Sequence, residues 1–115
     1  MIDFACKKFS LNEIIQCSLN LTRLEFRIFE FFIKNKKKWF STYDISNKLY
    51  IGLSTAQKGV KKLSNKNVLW QRQKNIEGGG YFFIYCIKNK SKLRITILNT
   101  MQNWIKKTEK EVNNW

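Results

Sequence analysis

Two short amphipathic helices joined by a tight turn, then two β-favouring runs around Gly78-Gly79-Gly80, predict an α+β, mainly α fold. The arrangement is that of a winged helix-turn-helix, with an N-terminal helix before it and a long C-terminal helix after it. Of the 115 residues, 43% are hydrophobic and 15% aromatic, enough for one ordinary core and too many for a disordered basic tail. The predicted divisions are an N-terminal segment with a short helix over 1–20, the winged helix-turn-helix over 21–88, and the C-terminal helix over 89–115.

Taken in chain order, Ser10-Leu11-Asn12-Glu13 is a capping box, and Leu11, Ile14, Ile15 and Leu19 form the inner face of the helix it opens. Thr22-Arg23-Leu24-Glu25 is a second box. Its helix carries Leu24, Ile28, Phe31 and Phe32 inward and ends near Asn35. The run Lys36-Lys37-Lys38 reads equally as a solvated loop or a phosphate contact, and Trp39-Phe40 as a very short strand beside the later sheet. Ser41 or Thr42 caps a two-turn helix whose inner residues are Ile45 and Leu49. Gly52 is expected to turn the chain and Ser54 to cap the next helix, whose buried stripe is Ala56, Val60 and Leu63. Ala56 and Gly59 are small enough for a close helix crossing.

Asn67 stands where a helix exits through a left-handed residue, which Asn tolerates. Strands follow over Val68–Asn75 and Tyr81–Ile87, reversed by the loop Ile76–Gly80. Turn chemistry suffices to explain the three glycines, and no Lys-Ser or Lys-Thr pair follows them at the spacing of a nucleotide-binding loop. From Ser91 to Trp115 there is neither Pro nor Gly. Ile97, Met101, Trp104, Thr108, Glu111 or Val112, and Trp115 recur at steps of three or four, the stripe of one long helix.

The second helix of the pair leaves Ser54, Thr55, Gln57, Lys58, Lys61 and Lys62 on its outward side, all donors or cations and none acidic. A DNA major groove calls for such a surface, because base edges present acceptors and the flanking phosphates attract positive charge. Thr55, Gln57 and Lys58 are assigned to base edges, and Ser54, Lys61 and Lys62 to phosphates. Arg72 and Lys74, expected near the hairpin tip, would reach phosphates or the adjoining minor groove. Net charge agrees: 22 Lys plus Arg against 8 Asp plus Glu give +14, an imbalance suited to a polyanionic partner.

These motifs resemble those of small archaeal winged-helix transcriptional regulators of the TrmB-like and MarR-like groups. The likeness rests on LSTAQKGVKKL for the recognition helix, VLWQRQKN and GGGYFFIY for the wing strands, and the Trp104-bearing terminal helix, and it covers roughly Leu21 to Trp115. A narrower likeness is to regulators of archaellum genes in methanogens. Gly59 departs from the family's usual alanine and Asn67 from its usual glycine. The resemblance implies a dimer on promoter DNA, with double-stranded DNA and a second copy of the chain as partners. A C-terminal helix projecting past the winged domain suits that role, since its stripe needs a second copy to cover it; folding back over Phe4, Phe9 and the first helix is the alternative. A two-fold dimer would set its recognition helices one DNA turn, about 34 Å, apart.

A sequence-neutral architectural DNA protein and an RNA-binding module remain open alternatives. Catalysis is not expected: the chain has no histidine and no nucleophile motif, and Asp44 and Glu77 read as capping or solvated charges. Cys6, Cys17 and Cys86 lack metal-ligand spacing and read as reduced thiols, so neither metal nor cofactor is expected. A Cys6–Cys17 redox pair requires the two side chains to meet. No run reaches the roughly 18 apolar residues of a membrane span and Met1-Ile2-Asp3-Phe4 lacks a signal pattern, so a cytoplasmic location without membrane contact is expected.

Overall fold

The computed structural model describes residues 1–4 and 7–115, so the reading of Cys6 as half of a redox pair lies outside the described residues. The order of elements is β1 (Ile2–Phe4), β2 (Lys7–Phe9), α1 (Leu11–Ser18), α2 (Arg23–Lys34), α3 (Thr42–Leu49), α4 (Leu53–Asn65), β3 (Leu69–Asn75), β4 (Tyr81–Ile87) and α5 (Lys90–Asn113). This is a winged helix-turn-helix with a long terminal helix. Strands β1 and β2 pair antiparallel in a hairpin that the sequence reading did not anticipate, because three-residue runs interrupted by Asp3, Lys7 and Lys8 carry too little alternation to register. The second sheet pairs β3 with β4, Leu69 opposite Ile87 through Asn75 opposite Tyr81. Phe40 adds one bridge to Tyr85, with N–H···O distances of 2.8 and 2.7 Å in the two directions.

The core is built on the crossing of α2 with α4. Ile28, Phe32, Ala56, Val60 and Leu63 are fully buried there, together with Ile45 from α3. Gly59 lies directly under Ile28: a Cβ at Gly59 would stand 2.5 Å from Ile28 Cδ1, closer than packed carbons approach. On its other side α2 buries Phe26 and Phe29 toward α1 and α5, whereas Leu24 and Phe31, expected inside, are only half-buried. The reason is that α2 is covered from two directions, so its apolar arc is wider than a single stripe. Leu11 likewise departs from expectation. It is 61% exposed at the rim of the groove between α1, α2 and α5, and Leu19 and Ile15 hold α1 in place.

Three capping boxes start α1, α2 and α3, at Ser10–Glu13, Thr22–Glu25 and Ser41–Asp44, the last settling Ser41 over Thr42 as the cap. The turn between α3 and α4 differs from its prediction. Tyr50, not Gly52, takes the left-handed conformation (φ 55°), and Gly52 is extended (φ −62°) and serves as N-cap, so Ser54 is the second residue of α4 and caps nothing. Neighbouring polar groups hold Tyr50 there despite a cost of about 1 kcal/mol for a side chain in that region. Ser46 Oγ donates to the Ile51 carbonyl at 2.6 Å, the Ile51 N–H to the Ser46 carbonyl at 3.1 Å, and Arg27 reaches from α2 to the Leu49 carbonyl at 2.9 Å. At the far end of α4, Asn67 is left-handed as its position predicts (φ 62°). The Asn67 N–H bonds the Ser64 carbonyl and the Val68 N–H the Leu63 carbonyl, a double closure that launches β3.

One ion pair ties α4 to α2: Lys62 Nζ meets Glu25 Oε1 at 2.8 Å. Burial alone would raise the Glu25 carboxyl, but hydrogen bonds from Lys62 and from the Thr22 backbone and hydroxyl outweigh it and hold the group below its ordinary range. Cys86 is buried and Cys17 exposed. Burial pushes the Cys86 thiol up, against the opposing pulls of the Lys37 backbone N–H and the Arg72 charge, so it stays protonated at neutral pH.

Helix α5, about 36 Å long, packs on α1 and the groove through Leu93 and Ile97 and then leaves the domain. Every residue from Met101 to Trp115 is exposed, and the molecule is 61 Å long by 26 and 25 Å. It does not fold back over Phe4, which is itself 63% exposed. Its stripe is also broader than predicted, because Leu98 and Ile105 lie beside the expected Ile97, Met101, Trp104 and Val112. No helix of the described residues is long and apolar enough to cross a membrane.

Two expected outcomes follow from the α2–α4 contact. Gly59→Ala should destabilise the chain, since overpacking of about 1–3 kcal/mol exceeds the roughly 1 kcal/mol that alanine adds to a helix. In an Ile28→Val background the clashing methyl is gone and the nearest remaining Ile28 atom is 3.9 Å away, so the same substitution should become neutral or stabilising. Urea unfolding of the four proteins tests this, and an equal effect in both backgrounds would contradict the contact. Lys62→Met should cost about 1 kcal/mol at neutral pH. Because the folded Glu25 pKa is depressed, its stabilisation is present above the unfolded value and disappears as pH falls through the folded one. The stability difference between Lys62→Met and wild type should therefore shrink in acid below about pH 4, as followed by thermal melts across pH.

Candidate nucleic-acid interface

With Ala56, Gly59, Val60 and Leu63 turned into the core, the opposite arc of α4 is fixed by helical geometry. Ser54, Thr55, Gln57, Lys58 and Lys61 are all exposed on it, and Asn65, which the sequence reading passed over, extends the same arc by a turn. No side chain caps the start of α4, so its first N–H groups and their partial positive charge face outward beside Ser54 and Thr55. Lys62 lies at the edge of the arc and is half-buried against Glu25. Its charge, assigned from sequence to phosphate, is already engaged inside the fold.

The hairpin stands beside α4 and presents two different faces. Gln71, Gln73 and Asn75, with their cross-strand partners Tyr85, Phe83 and Tyr81, form one. This face turns toward α4 across a cleft of about 550 Å³ lined by Gln57, Lys61, Ser64, Asn65, Gln71, Phe83 and Tyr85, and Phe82 borders it as well. Ser64 Oγ is buried with no hydrogen-bond partner among the described residues. Burial also raises the Tyr85 hydroxyl above its ordinary range, so it remains a neutral donor. Tyr43, in the first turn of α3, borders the same cleft and is 63% exposed. Sequence spacing had no means of singling it out, since a tyrosine on a two-turn helix reads as core or surface alike.

Trp70, Arg72 and Lys74 form the other face with Cys86, Ile84 and Phe82. Arg72 was expected near the hairpin tip, and the register places it in mid-strand, opposite Ile84. Its guanidinium carbon lies 4.4 Å from the centre of the Trp39 ring. Lys74 is one step from the end of β3 and exposed, close to the Ile76–Gly80 loop, where Gly78, Gly79 and Gly80 all have positive φ. The structure therefore brings five of the predicted residues onto one exposed helix face, keeps Lys74 near the tip, turns Arg72 away from α4 and engages Lys62 internally. Among the described residues no three His, Cys, Asp or Glu side chains cluster as a metal site would require.

Residues 8–108 match the DnaD N-terminal domain family. A solved structure from Methanosarcina mazei Go1, described as a possible transcriptional regulator, is similar over 100% of this chain and 96% of its own, at 38% identity and a TM-score of 0.88. A mutant of MepR from a multidrug-resistant Staphylococcus aureus clinical isolate aligns over 90% of this chain and 72% of its own with a TM-score of 0.54; at 9% identity that likeness shows the fold alone. The uncharacterized protein MJ1503 of Methanocaldococcus jannaschii is 23% identical over 107 residues, 93% of this chain and 80% of that protein. The winged-helix likeness read from the motifs stands at the level of fold. With most of its length matched and a relative at 38% identity spanning all of it, the chain belongs to the DnaD N-terminal domain family.

Proposed function

We propose that the chain is a transcriptional regulator that binds double-stranded promoter DNA as a homodimer, with α4 in the major groove and the hairpin against the flanking backbone. The observation that carries this reading is the outward arc of α4: donors and cations only, fully exposed, on a helix whose other side is locked into the core. Affinity comes mostly from Lys58, Lys61, Lys74 and Ser54 on phosphates. Thr55 and Gln57 at the start of the helix read base edges, with Lys58 able to join them. The likeness to a possible transcriptional regulator supports the same class of activity. An absence of histidine and of any nucleophile motif speaks against an enzyme.

Support for the homodimer comes from α5. A free helix end roughly 20 Å long, carrying Met101, Trp104, Ile105 and Val112 on one side, leaves an apolar surface that a second copy of the same helix would cover. The three-segment division of the chain follows this reading, with α5 as the dimerisation segment. Two recognition helices then meet an inverted repeat, and sequence preference arises twice over, once per half-site.

Three measurements test the proposal. With six or more phosphates contacted, affinity for duplex should fall about a thousandfold between 50 and 200 mM salt. Gln57→Ala should bring specific and random duplexes closer together in affinity, whereas Lys74→Ala should weaken both alike; equal losses for both variants on both DNAs would refute the division between reading and holding. Trp104→Glu with Ile105→Glu should sediment as a monomer and lose the footprint on an inverted repeat, and an unchanged dimer would remove α5 from the interface.

A further inference from the structure

We infer that the hairpin face turned away from α4 is a stacking surface for single-stranded DNA. Trp70, Arg72 and Lys74 alternate along β3, so they project from one face about 6.8 Å apart. Two of the three belong to aromatic–cation sets. Lys88 Nζ lies 4.6 Å from the centre of the Trp70 ring, the Arg72 guanidinium 4.4 Å from that of Trp39, and Lys74 stands opposite Phe82. Trp70 is 43% exposed, although it has no need of water.

Duplex binding does not call for this arrangement. Phosphates on a duplex require cations alone, because the flat faces of paired bases are already covered by their neighbours in the stack. An unpaired strand offers both a charged backbone and bare base faces, and every base can stack on an indole or on a guanidinium plane. The 6.8 Å interval is about twice the ~3.4 Å rise per nucleotide of stacked DNA, so successive bases on this face would be splayed onto the protein and not onto one another.

Charge favours the same occupant. Lys36, Lys37 and Lys38 immediately precede Trp39, whose ring carries the Arg72 guanidinium, so the lysine run adjoins this face. There is no acidic residue from Phe31 to Tyr43, in β3, in β4 or at Lys88, and Glu77 is confined to the hairpin tip. An apolar ligand would gain nothing from so uniform a positive field. DNA is the strand assigned because the other side of the hairpin borders α4: the two faces together suit the boundary between duplex and an opened strand. The choice of DNA rests on the proposed binding of duplex by α4, whereas the stacking surface itself rests on the hairpin.

The test is anisotropy of a fluorescent oligo-dT of about ten nucleotides with the full chain, alongside a hairpin duplex lacking free ends. Wild type should bind the dT strand, and Trp70→Ala should weaken that binding by about tenfold or more while duplex affinity stays within twofold. Trp70→Phe, which keeps an aromatic face, should restore most of the single-strand affinity. Should Trp70→Ala weaken duplex and single strand equally, the tryptophan only supports the hairpin and the inference falls. It falls too if Trp70→Ala binds dT as wild type does, or if an rU strand of the same length binds more tightly than dT. Far-UV circular dichroism of the variants, unchanged from wild type, shows that any loss is local.

Discussion

The close crossing of α2 over α4 is the constraint on which the other features depend. Gly59 is present without a side chain because Ile28 occupies the space one would need, and Ala56, Val60 and Leu63 continue the same contact without exposure. Once that side of α4 is committed, helical periodicity leaves Ser54, Thr55, Gln57, Lys58 and Lys61 no choice but solvent. A buried crossing thus sets the orientation of an exposed face. The Lys62–Glu25 pair at its margin adds a directional tie, which limits rotation of α4 about its own axis more than it adds to stability.

Much of this was legible in the sequence because several local signals agreed on each element. Capping boxes at Ser10, Thr22 and Ser41, the left-handed exit at Asn67 and the strand boundaries around the glycines all depend on short-range chemistry, and short-range chemistry is what a single sequence displays. The errors fall where tertiary contacts decide. Tyr50 is held left-handed by Ser46 and Arg27, a combination of bonds from two helices that no local rule for glycine could foresee. Phe26 and Phe29 are buried in the groove where α1 and α5 meet α2, and that cannot be read from α2 alone. Lys62 looked like its neighbours Lys58 and Lys61 until the fold brought Glu25 within 2.8 Å. Trp39 and Arg72, thirty-three positions apart in sequence, become partners only through the register of the hairpin and the bridge at Phe40.

The two faces of the hairpin differ in chemistry for a reason that follows from strand geometry. Alternation sends Gln71, Gln73 and Asn75 toward the α4 cleft and Trp70, Arg72 and Lys74 away from it, so amides among Tyr81, Phe83 and Tyr85 line one side and the Trp70–Lys88 and Trp39–Arg72 sets the other. Amide side chains both donate and accept, which suits water-rich contact beside a groove. Aromatic rings paired with cations suit a partner that is flat and anionic at once. Such a segregation is not needed to hold two strands together, because any alternation of β-favouring residues would have served that purpose.

Electrostatic self-repulsion links these surfaces to α5. A chain with a formal charge of +14 gains from any polyanion that approaches, and the gain is largest where cations are already crowded, on α4, the hairpin and the Lys36–Lys38 loop. The far half of α5 mixes Lys106, Lys107 and Lys110 with Glu109 and Glu111, beside the exposed Met101, Trp104, Ile105 and Val112. Locally its charges nearly cancel, three lysines against two glutamates. Like-charged copies would repel least along that helix, so the charge distribution that favours a polyanion near α4 and the hairpin also makes α5 the end best suited to the proposed self-association.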